Sequence, residues 1–257
     1  MRIDGACVRV KETTGFFTLG VRPEQYDLPH PPLGLPVILF LRRVLLRAFE
    51  KLRDRDFPLA TEREDRVTEQ LFNVLENDLR QTGEIVGFNA ASYERVVRHA
   101  EVTNYNGQKL AKTPDLSFKL RHAGAEPRPV VSSHDALFVE CKPVDANHAA
   151  GVAYCDDGLI RFVNGDYAWA MQDAMMLGYV RNGRTIAKHL TPAMAVSNRK
   201  ASLGIVGELQ LCPGLAAAAC AEAEAVHATR HRRGFRWPDG KGPATDITVY
   251  HLWHRCS

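Results

Sequence analysis

Thr113-Pro114-Asp115-Leu116-Ser117-Phe118 and Glu140-Cys141-Lys142-Pro143, with residues 116–139 between Asp115 and Glu140, are the segments whose reading decides the fold. Residues i and i+2 of a β-strand point to the same face. A strand through Glu140 and Lys142 therefore stands a carboxylate beside an ammonium. The preceding run Ala136-Leu137-Phe138-Val139 is continuously apolar, as expected of a strand buried on both faces. Unpaired buried charge is expensive, so an acid and a base on such a strand call for an explanation. Asp115 opens a second run that alternates cleanly: Leu116, Phe118 and Leu120 on one face, Asp115, Ser117, Lys119 and Arg121 on the other. Two carboxylates and a lysine at strand ends are the parts of a divalent-metal site with an adjacent cation.

Upstream, Thr61-Glu62-Arg63-Glu64 has the form of a capping box, with Thr61 as N-cap and Glu64 at the third helical position. The helix it starts is expected to run to about residue 79 and end before Gly83. Its apolar face is Val67, Leu71, Val74 and Leu75, and at about 100° per residue Glu64 shares that face. Short strands are expected over 84–88 and 93–103, followed by a turn at Asn106-Gly107. Downstream, 122–135 reads as a polar loop and 145–157 as another. A helix is expected over 166–180, with Gln172 among the inward residues Ala168, Met171, Met175 and Tyr179. Strands are expected over 185–187, 193–197, 203–211 and 247–253. An Ala-rich helix is expected over 215–232, ending in a basic loop to residue 243.

At the N-terminal side, Val8–Val10 and 15–19 suggest small strands, and Pro-rich residues 23–36 a loop. A helix is expected over 37–54, with Leu41, Val44, Ala48 and Leu52 on one side and Arg42, Arg43, Arg47, Lys51 and Arg53 around the rest. Residues 1–56 are therefore read as an accessory arm and helix, and 57–257 as the main domain. The overall expectation is an α/β sandwich around a central mixed sheet.

Lys plus Arg number 33 against 30 Asp plus Glu, so any basic surface must come from local clustering. Six cysteines, at 7, 141, 155, 212, 220 and 256, are scattered rather than patterned. They read as reduced thiols of a cytoplasmic protein. No early apolar core suggests a signal peptide, and the most apolar stretch, 33–49, is broken by Pro36 and three arginines. No membrane association is expected. A zinc site from Cys212, Cys220, His227 and His231 has a spacing that matches no tight knuckle. There is no Gly-x-Ser-x-Gly and no phosphate-cradling glycine loop.

Pro114-Asp115 and Glu140-Cys141-Lys142, preceded by an acidic helix, resemble the PD-(D/E)XK nuclease superfamily over residues 60–200. The resemblance implies a restriction-endonuclease-like α/β/α fold and a metal-dependent nuclease acting on DNA, with RNA kept open, in a prokaryotic or phage restriction, defence or repair setting. It implies Asp115 and Glu140 as ligands of Mg²⁺ or Mn²⁺ and Lys142 as the catalytic cation. It further suggests Glu64 as an auxiliary ligand and Gln172 as an orienting group near Lys142. Hard oxygen donors suit those ions, and a cation beside them stabilises the charge that builds up in phosphodiester hydrolysis. Arg230, Arg232, Arg233, Arg236 and Trp237 combine cations and an aromatic in the manner of a nucleic-acid contact. A homodimer or a partner subunit is the default assembly, since cutting two strands needs two sites. The alternative is a catalytically inactive nucleic-acid-binding or scaffolding module that retains the fold.

Overall fold

The computed structural model describes residues 28–91, 93–120, 134–213 and 225–256. The small strands expected before residue 20, nearly all of the 122–135 loop, Cys220 and the first part of the Ala-rich segment lie outside these residues.

The described residues form a mixed α/β fold. It is built on a seven-stranded sheet of order β1-β2-β3-β4-β7-β6-β5. The strands are β1 (Tyr93–Arg98), β2 (Leu116–Leu120), β3 (Leu137–Val144), β4 (Asp173–Val180), β5 (Ile205–Leu211), β6 (Val226–His231) and β7 (Ile247–Arg255). β1, β2 and β3 form an antiparallel meander. β3, β4 and β7 run parallel, and β6 and β5 return antiparallel. Every residue of β3 and β4 is buried, so these two strands form the centre.

Helices cover both faces. α1 (Leu35–Asp54) and α2 (residues 64–82) lie on one side. There the α2 hydroxyl of Thr68 meets Tyr179 Oη at 2.8 Å, and Phe49 of α1 stacks on His254 at 3.8 Å. The opposite face carries α3 (residues 150–163), whose Tyr154 packs against Trp253. A Cβ on Gly178 would sit 2.6 Å from the Trp253 ring, so only glycine lets β4 accept that indole. Two shorter helices, α4 (residues 186–195) and α5 (Ser197–Ser202), follow β4.

Several expectations are corrected. Residues 173–180 are strand β4, not helix; the crossover helix lies earlier, over 150–163, where a loop was expected. The cause is burial: Ala174-Met175-Met176-Leu177-Gly178-Tyr179-Val180 is apolar on both faces, and such a run carries no period that separates strand from helix. A parallel β3–β4 pair also needs its crossover between the two strands. The strands expected at 185–187 and 193–197 are α4, opened by Thr185, whose side chain accepts Lys188 N–H. Residues 226–231 are strand β6 rather than helix, which separates His227 from His231. Residues 84–88 form no strand, and the strand expected over 93–103 stops at Arg98.

α1 is not a detached arm. Ile38, Leu41, Leu45 and Phe49 join the same hydrophobic core as α2 and the sheet. Its basic flank is occupied as well: Arg47 pairs with Glu84 at 2.6 Å and Lys51 with Asp78 at 3.1 Å.

A buried polar chain ties β6 and β7 to α3. His231 Nδ1 donates to Leu203 O (2.9 Å), so its Nε2 accepts the Thr229 hydroxyl (2.6 Å). Thr229 Oγ1 in turn accepts His251 Nε2–H (2.7 Å), leaving His251 Nδ1 to accept Tyr154 O–H (3.0 Å). In this arrangement both histidines are neutral. Burial pulls His231 down to about 4 and His254 to about 3, and depresses His251 as well. The unfolded chain protonates these rings near pH 6.5. Their stabilisation is thus complete above pH 6.5 and is lost as pH falls toward the folded values. At pH 5, His231 and His254 should each destabilise the fold by about 2 kcal/mol relative to pH 7. Urea titrations at the two pH values measure this. His254→Phe, which keeps the stack on Phe49, should lose less stability between pH 7 and pH 5 than wild type does.

Candidate active site

The register of the meander assembles the site. Leu116 pairs with Val139, so one step further Asp115 stands opposite Glu140. Residues directly opposite each other share a face, and Lys142 shares it two residues on. The pairing on which Asp115's membership depended is therefore present. A backbone bond reinforces it: Cys141 N–H donates to Asp115 Oδ2 at 2.7 Å.

Glu64 is the first residue of α2, not the third. The N-cap is Arg63, and no side chain caps the helix. The expected capping box is absent because Glu64 turns to the sheet, where its Oε1 accepts Lys142 Nζ at 2.8 Å. Lys142 Nζ also lies 3.0 Å from Glu140 Oε1. One ammonium is thus held between carboxylates from two elements.

Glu140 is fully buried and has two further donors. Arg161 of α3 reaches its Oε1 at 2.9 Å, and the Tyr167 hydroxyl donates to its Oε2. Burial is the main force lifting the Glu140 carboxyl to about 7, and the Asp115 charge adds to it; Lys142, Arg161 and Tyr167 pull the other way. Burial likewise raises Asp115, against the opposing pull of Lys142 and the Cys141 N–H. For Lys142, burial alone would favour the neutral amine. The charges of Glu140, Asp115 and Glu64 outweigh it and hold the group above its ordinary value. The site is a small domain of crowded, poorly solvated charge in which the cation is locked on.

Three contributors escaped the sequence reading. Arg161 lies in the last turn of the true crossover helix and Tyr167 just beyond it, and no period marked that helix. α3 comes close because Gly158 lacks a side chain: a Cβ there would meet Lys142 Cγ at 3.3 Å and Met176 Cε at 2.9 Å. The third is His99, just past β1, with Nε2 3.7 Å from Asp115 Oδ1. Burial, then Arg98, lowers its pKa. The available signal was its place at the end of a valine-rich strand beside Asp115's strand.

Gln172 does not join the site. It precedes β4, where its side-chain amide donates to His30 O at 2.9 Å and its backbone carbonyl accepts Thr248 N–H at 2.9 Å. Glu140 is level with Met176, which puts Gln172 four residues back, about 13 Å along the sheet. Its expected orienting role at Lys142 followed from the misplaced helix.

The basic loop divides. Arg233 and Trp237 are buried. Arg233 Nη1 and Trp237 Nε1 both donate to Trp169 O, at 3.0 and 3.3 Å, and Arg233 Nε donates to Thr245 O at 2.7 Å. They brace the segment after Tyr167. Arg230, Arg232 and Arg236 are exposed, Arg230 pairing with Asp246 at 2.8 Å. Arg232 and Lys200 line an open cleft of about 1020 Å³ that also borders Val163 and Asn164 at the end of α3.

Among the described residues, no three His, Cys, Asp or Glu side chains stand gathered as a ready metal cage. The donor set nonetheless suits a hard divalent ion. Asp115 and Glu140 are adjacent carboxylates, Glu64 faces them, and Asp115 Oδ1 points at His99 from beyond hydrogen-bond range. Lys142 and Arg161 both hold Glu140 through Oε1. Among the described residues, no helix is long and apolar enough to cross a membrane. Compared with family models, curated proteins and solved structures, the chain finds no match.

If Asp115 were only a strand cap, neutralising it would weaken the fold. Its raised pKa says the opposite: ionisation there is disfavoured by folding. Asp115→Asn keeps an acceptor for Cys141 N–H and should leave stability at pH 7 unchanged or raise it. Lys142→Met should cost about 3 kcal/mol, because it strips a buried carboxylate of a partner. Paired denaturant titrations test both; a loss above about 2 kcal/mol in Asp115→Asn would assign that residue to structure.

Proposed function

We propose that the chain is a divalent-metal-dependent nuclease with a restriction-endonuclease-like fold, related to the PD-(D/E)XK superfamily. One observation carries the reading. The meander register sets Asp115 opposite Glu140, with Lys142 on the same face, inside the element order α2-β1-β2-β3-α3-β4 that the resemblance implies. A random Pro-Asp and Glu-x-Lys would have no reason to meet across a strand pair.

The chemistry follows from where the groups stand. Asp115 and Glu140, with Glu64 beside them, would hold Mg²⁺ or Mn²⁺, which when bound polarises a phosphoryl oxygen and lowers the pKa of a water. Lys142 stays protonated in this setting. It holds its charge and three N–H donors beside the carboxylates, where an attacking water is oriented and the growing charge on phosphate is offset. Arg161 is half-exposed, with its guanidinium on the Glu140 oxygen nearest Lys142, and supplies a second cation at the same edge. Gly158 and the packed face of α3 exclude bulk solvent from the Lys142 stem. The exposed Arg232 and Lys200 line the cleft past the end of α3 and offer two cations to a phosphate backbone. DNA is the proposed substrate.

The competing reading, a binding or scaffolding module without activity, draws on the full set of donors around Glu140. The two are separated by incubating the protein with linear, circular and single-stranded DNA, and with RNA, in Mg²⁺ or Mn²⁺. Wild type should cleave DNA. Lys142→Ala, Asp115→Asn and Glu140→Gln should each lower the rate by about 10²-fold or more while binding persists. Binding without cleavage by wild type in either metal would favour the scaffold, and variants as active as wild type would remove the triad.

A further inference from the structure

The meander carries its register one strand further than the triad. Arg98 pairs with Leu116 in β1–β2, as Leu116 pairs with Val139 in β2–β3. The next rung runs His99, Asp115, Glu140 across three adjacent strands. His99 N–H donates to Asp115 O at 3.4 Å, which fixes that rung at the point where β1 ends. The backbone of His99 is left-handed, with φ 49°, a conformation that costs a non-glycine residue and recurs where a side chain has to be aimed. It is aimed at Asp115: Nε2 stands 3.7 Å from Oδ1, and the ring is 44% exposed.

That separation is too long for a hydrogen bond but suits two donors of one ion. With metal–ligand bonds near 2.1 Å, neighbouring donors lie from about 3.0 Å apart at a right angle to about 4.2 Å when opposed. Arg98 Nη2 donates to Asp65 O at 3.3 Å, tying the end of β1 to the first turn of α2, which carries Glu64. His99 therefore stands on a braced corner, not on a free loop.

We propose that His99 is a nitrogen ligand of the same metal site, sharing the ion with Asp115 and selecting a first-row transition ion such as Mn²⁺ over Mg²⁺. The proposal rests on the nuclease reading for the existence of that site, and adds to it a ligand and a metal preference. Imidazole favours transition ions, whereas an all-oxygen set accepts Mg²⁺ equally well.

The test uses the full chain and Mn²⁺ itself as the probe. Asparagine tolerates a left-handed backbone, so His99→Asn preserves the turn while removing the ring. Pulsed electron paramagnetic resonance of bound Mn²⁺ should show nitrogen modulation in wild type and none in His99→Asn. Calorimetric titration should show Mn²⁺ affinity falling about tenfold or more in the variant, with Mg²⁺ affinity changed less than about threefold; tenfold is the weight of one tuned ligand-sphere contact. Two results overturn the proposal while leaving the nuclease reading in place. One is Mn²⁺ binding that Asp115→Asn abolishes but that carries no nitrogen modulation. The other is an equal loss of both ions in His99→Asn, which would make the ring an ion-pair partner of Asp115. Failure of wild type to bind either ion, together with no cleavage, would overturn both.

Discussion

A carboxylate in the middle of a sheet is the constraint on which the rest of the structure depends. Glu140 has no exposure to solvent, and an uncompensated charge in such a place costs several kcal/mol. Compensation comes from three separate pieces of chain: Lys142 from the same strand, Arg161 from the crossover helix and Tyr167 from the loop beyond it. The crossover has to press close for Arg161 to arrive, hence Gly158. The loop has to be braced for Tyr167 to arrive, hence Arg233 and Trp237 on the Trp169 carbonyl. The β2–β3 register then works against this balance by adding a second carboxylate across the rung. Apolar side chains of similar volume would make a more stable strand pair. Retaining the charges is the pattern of a site held at the expense of stability.

Much of the centre was legible because its signals were local. β2 declared itself by alternation and β3 by an unbroken apolar run ending in Glu140-Cys141-Lys142-Pro143, and both lie within two residues of their expected positions, β3 running on through Pro143 to Val144. That they pair, with Asp115 beside Glu140, was not local, and only the three-dimensional register supplies it. Glu64 was singled out by helical phase. Its neighbour was invisible, so a capping role looked equally good until Lys142 was found against it.

The failures have one physical source. β4 was read as a helix because a segment buried on both faces loses the amphipathic contrast that distinguishes a two-residue from a 3.6-residue period, and most of α3 was read as a loop because it carries no regular apolar period. Gln172 was carried into the site by the first error, and Arg161 was left out by the second. Trp237 and Arg233 were read as surface because arginine beside an aromatic looks the same in sequence whether it reaches outward or bolts two loops together. His99 gave no period at all; its significance is one rung of a ladder whose neighbouring strand begins seventeen residues later.

The strand order has a consequence for biosynthesis. β7 is the last of the described strands to leave the ribosome, yet it sits between β4 and β6 in the interior of the sheet. Until residues 247–255 emerge, β4 has no partner on that side, and the nascent sheet ends in an apolar edge of Met175, Met176, Leu177 and Tyr179. Arg233 and Trp237, which brace the loop of Tyr167, emerge only shortly before. The charged corner around Glu140 is therefore completed only after these later segments have emerged. A polypeptide interrupted earlier exposes a sticky template for other chains and lacks the bracing that orders its charges, so quality control would meet an aggregation-prone fragment.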